Sequence, residues 1–257
     1  MARPPLRHKP PHRPHHEETE KVAGLPAVKA LFAHAPDRAE RLFFDDRLAA
    51  EAGPFCKLLA ARHKPYRKVP TDELTKIAGS PLHGGILCVA RPKPIPLFDV
   101  EDAKGWTTPL VILDGVGNPH NLGAIARTMA FFGLDRLVVS DHPGQALPSE
   151  AAFRVAEGGL EWVQVYRAPK LPQVLKRLRA HYRVVGTALG AHRPLDAVLA
   201  KGDKPLAVVL GNEEEGLPPA TQAACDEVAT IPGSGKVQSL NVAATAAILV
   251  HLLAAGR

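Results

Sequence analysis

Five short apolar runs punctuate the second half of the chain: PLVILDG (109–115), DRLVVS (135–140), EWVQVYR (161–167), YRVVGTAL (182–189) and PLAVVLG (205–211). Val, Leu and Ile dominate them on consecutive rather than alternate positions, the pattern of strands buried on both faces of a parallel sheet. Helical spacing fills the gaps, at 119–132, about 149–158 and 171–181, and a long alanine-rich helix is predicted from Ser239 or Leu240 onward. Strand and helix in alternation predict an open α/β sheet covered by helices. Ligands of such sheets collect beyond the carboxyl ends of the strands.

The first hundred residues have another texture. Residues 1–20, MARPPLRHKPPHRPHHEETE, are proline-rich and almost free of large apolar groups, so they cannot offset their ordering entropy and are expected to form a disordered basic tail. His8, His12, His15 and His16 match no metal-ligand spacing, and no metal site is expected. Residues 21–90 predict a small α/β unit. AVKALFAHAPDRAERLFFDD joins a helical start to a strand-like end, and FCKLLAARHKPYRK reads as a helix ending in a basic turn. TDELTKIAG is a short helix opened by Thr71 and closed by Gly79, and GGILCVAR is a buried strand. Residues 91–108, with three prolines, read as a linker to a larger unit at 109–257.

Bulk composition narrows the function classes. A chain of 257 residues with 46% hydrophobic content can bury a core of ordinary size. The longest apolar run, VAATAAILV, is cut by His251 and falls short of the roughly 20 residues a bilayer span needs. No apolar stretch follows the basic N-terminus, so neither a secretory signal nor a membrane location is expected, and the cytoplasm is. Cys56, Cys88 and Cys225 are few and far apart, which suits buried thiols in a reducing compartment. Charge is unevenly placed: residues 1–100 hold 17 Lys and Arg against 11 Asp and Glu, whereas the rest balance at 15 and 15. A polyanion held by the N-terminal region explains that excess, and so does an ordinary solvated surface.

Three stretches in the larger unit have chemical interest. GNPHNLGAIART (117–128) follows the first strand; Asn118 suits an N-cap, Pro119 a first helical position and Gly133 a helix stop. Leu122, Ile125, Met129 and Phe132 make one apolar face, and Arg127 points nearly opposite to it. A surface arginine paired with a carboxylate accounts for it, as does a helix start built for a polar ligand. VVLGNEEEGLP (208–218) runs from a strand through Gly211 and three acids to Gly216, either a solvated acidic loop or a place where one acid accepts hydrogen bonds. IPGSGKVQSLNVAATAAIL (231–249) leads a glycine loop through Lys236 to Ser239, Leu240 and Asn241. It is not a Walker loop, because Val237 follows the Gly–Lys pair. The first strand of the sheet also lacks GxGxxG, against an ordinary dinucleotide fold.

In this order, behind a basic N-terminal unit, the three stretches resemble the signature motifs of the SpoU (TrmH-like) RNA ribose 2′-O-methyltransferases of the SPOUT class. The resemblance covers about 109–257, and extends to 22–90 as a unit similar to the ribosomal-protein-L30e-like substrate-binding domain. It implies an α/β fold with a SPOUT-type parallel sheet and a C-terminal trefoil knot, preceded by a small L30e-like α/β domain. It further implies S-adenosylmethionine as cofactor, structured RNA (tRNA or rRNA) as partner, and a homodimer with the active site near the subunit contact. The cofactor would lie against loops at Thr187 to Gly190, Gly211 to Gly216 and Ile231 to Asn241, with Leu189, Gly211, Asn212, Gly216, Ile231, Pro232 and Leu240 as contacts. Gly233 stands where many members have a bulkier residue.

The same resemblance places Arg127 and Asn121 on the first motif, Glu213 on the second, and Ser239 and Asn241 on the third, as the catalytic set. Arginine is a poor base: at a pKa of about 12 or more, neutralising it at pH 7 costs roughly 7 kcal/mol. Arg127 is therefore expected first to grip a backbone phosphate and orient the ribose hydroxyl. Asn121 and Ser239 would shape the hydroxyl's surroundings and Glu213 would hold Asn121 or its loop. RHKPYRK (62–68), with Arg62, Lys64, Arg67 and Lys68, is the expected RNA-recruiting stretch. Two other readings stay open: an RNA-binding protein of this fold without the chemistry, and a SPOUT enzyme that methylates a base.

Overall fold

The computed structural model describes residues 19–189, 193–194, 202–212 and 215–255. Two sheets organise them. The first has four strands, β1 (Glu20–Ala23), β2 (Ala39–Phe44), β3 (Tyr66–Lys68) and β4 (Ile86–Ala90), in the order β1-β4-β2-β3. β4 runs antiparallel to β1 and β2, and β3 parallel to β2. Helices α1 (Leu25–His34) and α2 (Ala49–Ala61) bury Leu31 and Leu59 against Leu42, Ile86 and Cys88 on one face. Helix α3 (Thr71–Ala78) covers the other through Leu74, against Phe43 and Leu87. It ends where Gly79 turns left-handed at φ 74°.

The second sheet has seven strands, all parallel: β5 (Leu110–Asp114), β6 (Arg136–Ser140), β7 (Gln164–Ala168), β8 (Arg183–Thr187), β9 (Arg193–Pro194), β10 (Leu206–Gly211) and β11 (Glu227–Thr230). Their order is β7-β6-β5-β10-β8-β11-β9. Helices α5 (Pro119–Phe131), α6 (Glu150–Ala156), α7 (Gly159–Trp162) and the C-terminal α10 (Val242–Ala255) cover one face, burying Leu122, Ile125, Met129, Phe153, Leu160 and Leu249. Helices α4 (Val100–Ala103) and α8 (Leu171–Leu178) cover the other with Val100, Leu171, Leu175 and Leu178, and α9 (Pro219–Gln222) follows β10. Burial on both faces is why four of the five apolar runs are continuous, whereas the edge strand β7 is buried on alternate positions. After β5 the chain winds outward to β7, then returns to place β10 and β8 on β5's other side. The β5–β10 boundary is thus the switch point, where the chain leaves the two strands in opposite directions.

Several expectations need correction. Glu20, assigned to the tail, begins β1, while residues 1–18 lie outside the described residues. RHKPYRK is not one basic turn: its last three residues form the exposed edge strand β3. Residues 91–108 are not free chain, because Phe98, Val100 and Ala103 are buried and the Phe98 amide donates to the Arg167 carbonyl at 2.8 Å. Residues 190–192, 195–201 and 213–214, which fall in the unit expected to hold the knot, lie outside the described residues. Cys88 and Cys225 are buried, and burial pushes both thiols up to about 12. Among the described residues no helix is long and apolar enough to cross a membrane, and no group of His, Cys, Asp or Glu is arranged to hold a metal.

Charge joins the two units. Arg38, just before β2, pairs with Glu20 and reaches Glu161 of α7 at 2.6 Å, where both side chains are almost wholly buried. Lys93 donates to the carbonyls of Leu160, Glu161 and Val163 at 2.7–3.0 Å, closing the end of α7. Removing one member of a buried pair strands the other, a loss of about 3–5 kcal/mol. Arg38→Met is expected to lower unfolding free energy by about that much in urea denaturation; an unchanged midpoint would show that the pair does not hold the junction.

Candidate functional site

Three loops meet at the carboxyl edge of the second sheet. β5 ends at Asp114, buried and accepting from the Thr221 hydroxyl at 2.6 Å, and the chain turns through Gly115 at φ 77°. The Asn118 side chain then accepts from the His120 amide at 2.8 Å and Pro119 starts α5. Six residues before Arg127, the buried Asn121 accepts through Oδ1 from Asn241 Nδ2 at 3.2 Å. Asn241 accepts in turn from the Ala243 amide at 2.8 Å, which caps α10. That cap explains why α10 begins at Val242 and not at Ser239 or Leu240.

The second loop is tied to the first. Asn212 Nδ2 donates to the Gly115 carbonyl at 3.1 Å, and its own carbonyl accepts from the Gly216 amide at 2.9 Å. The loop folds back so tightly that a Cβ at Gly211 would collide with the Gly216 backbone. Only glycine fits there. Glu213, expected in the catalytic set, lies outside the described residues, as does Gly190.

Between the second and third loops opens a cleft of about 860 Å³. Leu189, Gly211, Asn212, Gly216, Ile231, Pro232 and Leu240, the residues proposed from sequence for cofactor contact, all line it, and Ser239 does too. Its floor is closed by Thr187, whose hydroxyl donates to the Val209 carbonyl at 3.1 Å. Thr245 and Ile248 of α10 add a wall that sequence reasoning did not identify, since it predicted the helix but not which face it turns to the loops. The cleft size and its mix of apolar side chains with backbone polar groups suit a compact ligand that is part flat and part polar.

Arg127 does not line this cleft. It stands on the exposed side of α5, with Nη2 2.9 Å from Glu157 Oε2 at the α6–α7 corner. The surface-pair reading of Arg127 therefore describes its resting contact, and Glu157 is a partner that spacing did not reveal. The expected RNA-recruiting side chains are likewise paired: Arg62 with Asp37 at 3.2 Å, Lys64 with Glu40, Arg67 with Glu73, and Lys68 with Asp46 at 2.7 Å. Folding brings acids from other segments onto this basic stretch, so its local field is weaker than its sequence suggests.

Comparison with known proteins places this arrangement. The SpoU rRNA Methylase family matches residues 108–251, and a family described as RNA 2′-O ribose methyltransferase substrate binding matches residues 21–96. A 23S rRNA (guanosine-2′-O-)-methyltransferase, RlmB, of Acinetobacter baylyi is 32% identical over 90% of this chain and 95% of its own length. An uncharacterized tRNA/rRNA methyltransferase, YfiF, of Escherichia coli O157:H7 is 34% identical over 91% and 67%. An AdoMet-bound rRNA methyltransferase from Sinorhizobium meliloti shares the fold with a TM-score of 0.76, at 21% identity over 93% of this chain and 87% of that one.

The double role of Asn241 gives a direct check of how the loops are joined. Asn241→Ala removes the α10 cap and the link to Asn121 together, and is expected to cost about 1–2 kcal/mol in thermal or urea unfolding. Wild-type stability in that variant would mean that the first and third loops meet for other reasons.

Proposed function

The chain belongs to the SpoU rRNA methylase family, and from that premise we propose that it moves the methyl group of S-adenosylmethionine to a ribose 2′-hydroxyl of ribosomal or transfer RNA. The observation behind this reading is the cleft at the sheet's carboxyl edge, with its glycine-walled second loop. The residues fit the methyl donor. Leu189, Ile231 and Leu240 offer apolar surface for an adenine ring, while Asn212 and the backbone around Gly211, Gly216 and Pro232 offer polar contacts. S-adenosylmethionine, when bound, supplies an electrophilic sulfonium methyl group.

The chain's own residues would do the rest. Arg127 is permanently charged and planar, so it grips an RNA backbone phosphate with two parallel N–H donors and thereby fixes the neighbouring ribose. Ser239, at the cleft, and Asn121, behind it through Asn241, shape the surroundings of the hydroxyl. Glu213, by its place in the second motif, would hold Asn121 or the loop. Holding the nucleophile in line is worth several kcal/mol without any new base. The N-terminal unit recruits the RNA, with Arg62, Lys64, Arg67 and Lys68 exchanging carboxylate partners for phosphates; such binding weakens steeply with salt.

We also infer a homodimer acting in the cytoplasm, where its RNA substrates are. Phe131, 82% exposed at the end of α5, and the partly exposed Leu252 on α10 leave apolar surface on two helices that pack against each other. An apolar face of that kind on two packed helices fits a second copy of the chain. Light scattering after size exclusion should give about twice 27.5 kDa, and a Phe131→Glu variant should give the monomer; a monomeric native protein contradicts the inference.

The reaction itself is tested with tritiated S-adenosylmethionine and total RNA from a strain lacking the gene. Label should enter RNA, and nucleoside mass spectrometry should locate it on a ribose. Arg127→Lys keeps the charge but loses the planar fork, and is expected to slow transfer by at least about tenfold. No label in RNA would leave a binding protein, label on a base would leave a base methyltransferase, and full turnover in Arg127→Lys would remove Arg127 from its role.

A further inference from the structure

The α6–α7 corner is wedged between the two units of the chain. At Gly158, where φ is 92°, an added Cβ would stand 3.0 Å from the Pro26 carbonyl oxygen and 3.2 Å from the Ala30 Cβ, so the corner rests directly on α1. At the next residue, Gly159, a Cβ would stand 2.7 Å from the Cα of Arg127, so the same corner rests directly on α5. Two residues on, Glu161 is locked to Arg38, and Lys93 holds the end of α7 by three carbonyls. All four anchors, Pro26, Ala30, Arg38 and Lys93, precede the methylase-family match, which begins at residue 108.

Glu157 sits at the tip of this wedge. Its backbone is left-handed, φ 45° and ψ 44°, a conformation that costs a side-chain-bearing residue roughly 1–2 kcal/mol and that surrounding packing must impose. The carboxylate so aimed lies 2.9 Å from the Arg127 guanidinium. Both side chains are about half exposed, at 56% and 52%, and as an isolated surface pair they would add little stability. The significance of the contact lies in direction. A long arginine on an exposed helix face samples many rotamers, and each must be given up before it can hold a phosphate. A guanidinium has five N–H donors, so one carboxylate leaves others free for a second anion.

We propose that Glu157 is a positioning residue for Arg127: a carboxylate fixed by the N-terminal unit that aims the guanidinium before RNA arrives. The inference rests on the reading of Arg127 as the phosphate-gripping group. It adds that the unit that recruits RNA also sets the aim of the arginine, through a corner that touches both. In this arrangement the guanidinium lies between the Glu157 carboxylate and the incoming phosphate and screens each from the other. Without the arginine, the carboxylate would repel the phosphate.

The test is a double-mutant cycle in the full chain, with tritiated S-adenosylmethionine at saturation and total RNA from the deletion strain as varied substrate. Arg127→Ala should be severely impaired. Glu157→Ala should lower kcat/KM for RNA by about tenfold, with S-adenosylmethionine binding and thermal midpoint unchanged. Glu157→Gln keeps an acceptor oxygen at the same reach and should recover most of the rate. In the Arg127→Ala background, Glu157→Ala should cost nothing or raise the rate, because it acts only through the arginine. An additive loss in that background, or a full rate in Glu157→Ala while Arg127→Ala stays impaired, would overturn the positioning role and leave the reading of Arg127 intact. A full rate in Arg127→Ala would overturn both.

Discussion

Two asparagine side chains hold the site together. Asn212 joins the loop after β10 to the turn after β5, and Asn241 joins the loop before α10 to Asn121 at the start of α5. Each bond is worth only about 1 kcal/mol net, yet a partly buried amide left without a partner costs more than the bond returns. The loops are therefore bound to one another or badly unsatisfied. Their convergence is what turns glycine-rich connections into one walled cleft.

The sheet supplies the frame for that convergence. β5 and β10 are parallel neighbours whose loops are tied together by Asn212, and the cleft opens on the far side of the β10 loop, toward the loops after β8 and β11. Glycine then decides how closely the walls approach. Gly211 permits a fold-back that no other residue would allow, and among the described residues lining the cleft the polar character comes from backbone groups and uncharged side chains. Arg127, the group proposed to grip the RNA backbone, stands elsewhere, on the outer side of α5. The buried Arg38–Glu161 pair serves a different purpose, fixing the recruiting unit against the corner that abuts that helix.

Much of this was legible in the sequence, for stated reasons. Continuous Val, Leu and Ile runs made four of the seven parallel strands legible, since burial on both faces leaves few polar positions inside them, and β7 was legible through the alternating Val163 and Val165. Strands β9 and β11 were not identified: two residues are too few to show a pattern, and EVAT mixes acid with apolar side chains. The helix beginning at Pro119 was legible because its cap, first proline and closing glycine are all local signals. The residues lining the cleft were proposed through resemblance of motif, and their meeting depends on topology that no local signal encodes. Glu157 lay beyond both routes. Thirty residues separate it from Arg127, and only the packing of Gly158 on α1 and Gly159 on α5 explains the contact. The paired state of Arg62, Lys64, Arg67 and Lys68 was hidden for a similar reason, since three of the four partner acids lie on the β2 side of the fold.

The centre of the molecule is a cleft for a sulfonium donor, walled by the loops after β8, β10 and β11 and by α10. Isothermal titration of the full chain with S-adenosylmethionine in the absence of RNA tests that claim most directly. The account predicts saturable binding at one site per chain, displaced by the demethylated product and abolished by Gly211→Val. Absence of binding heat, or binding that survives Gly211→Val unchanged, would contradict it.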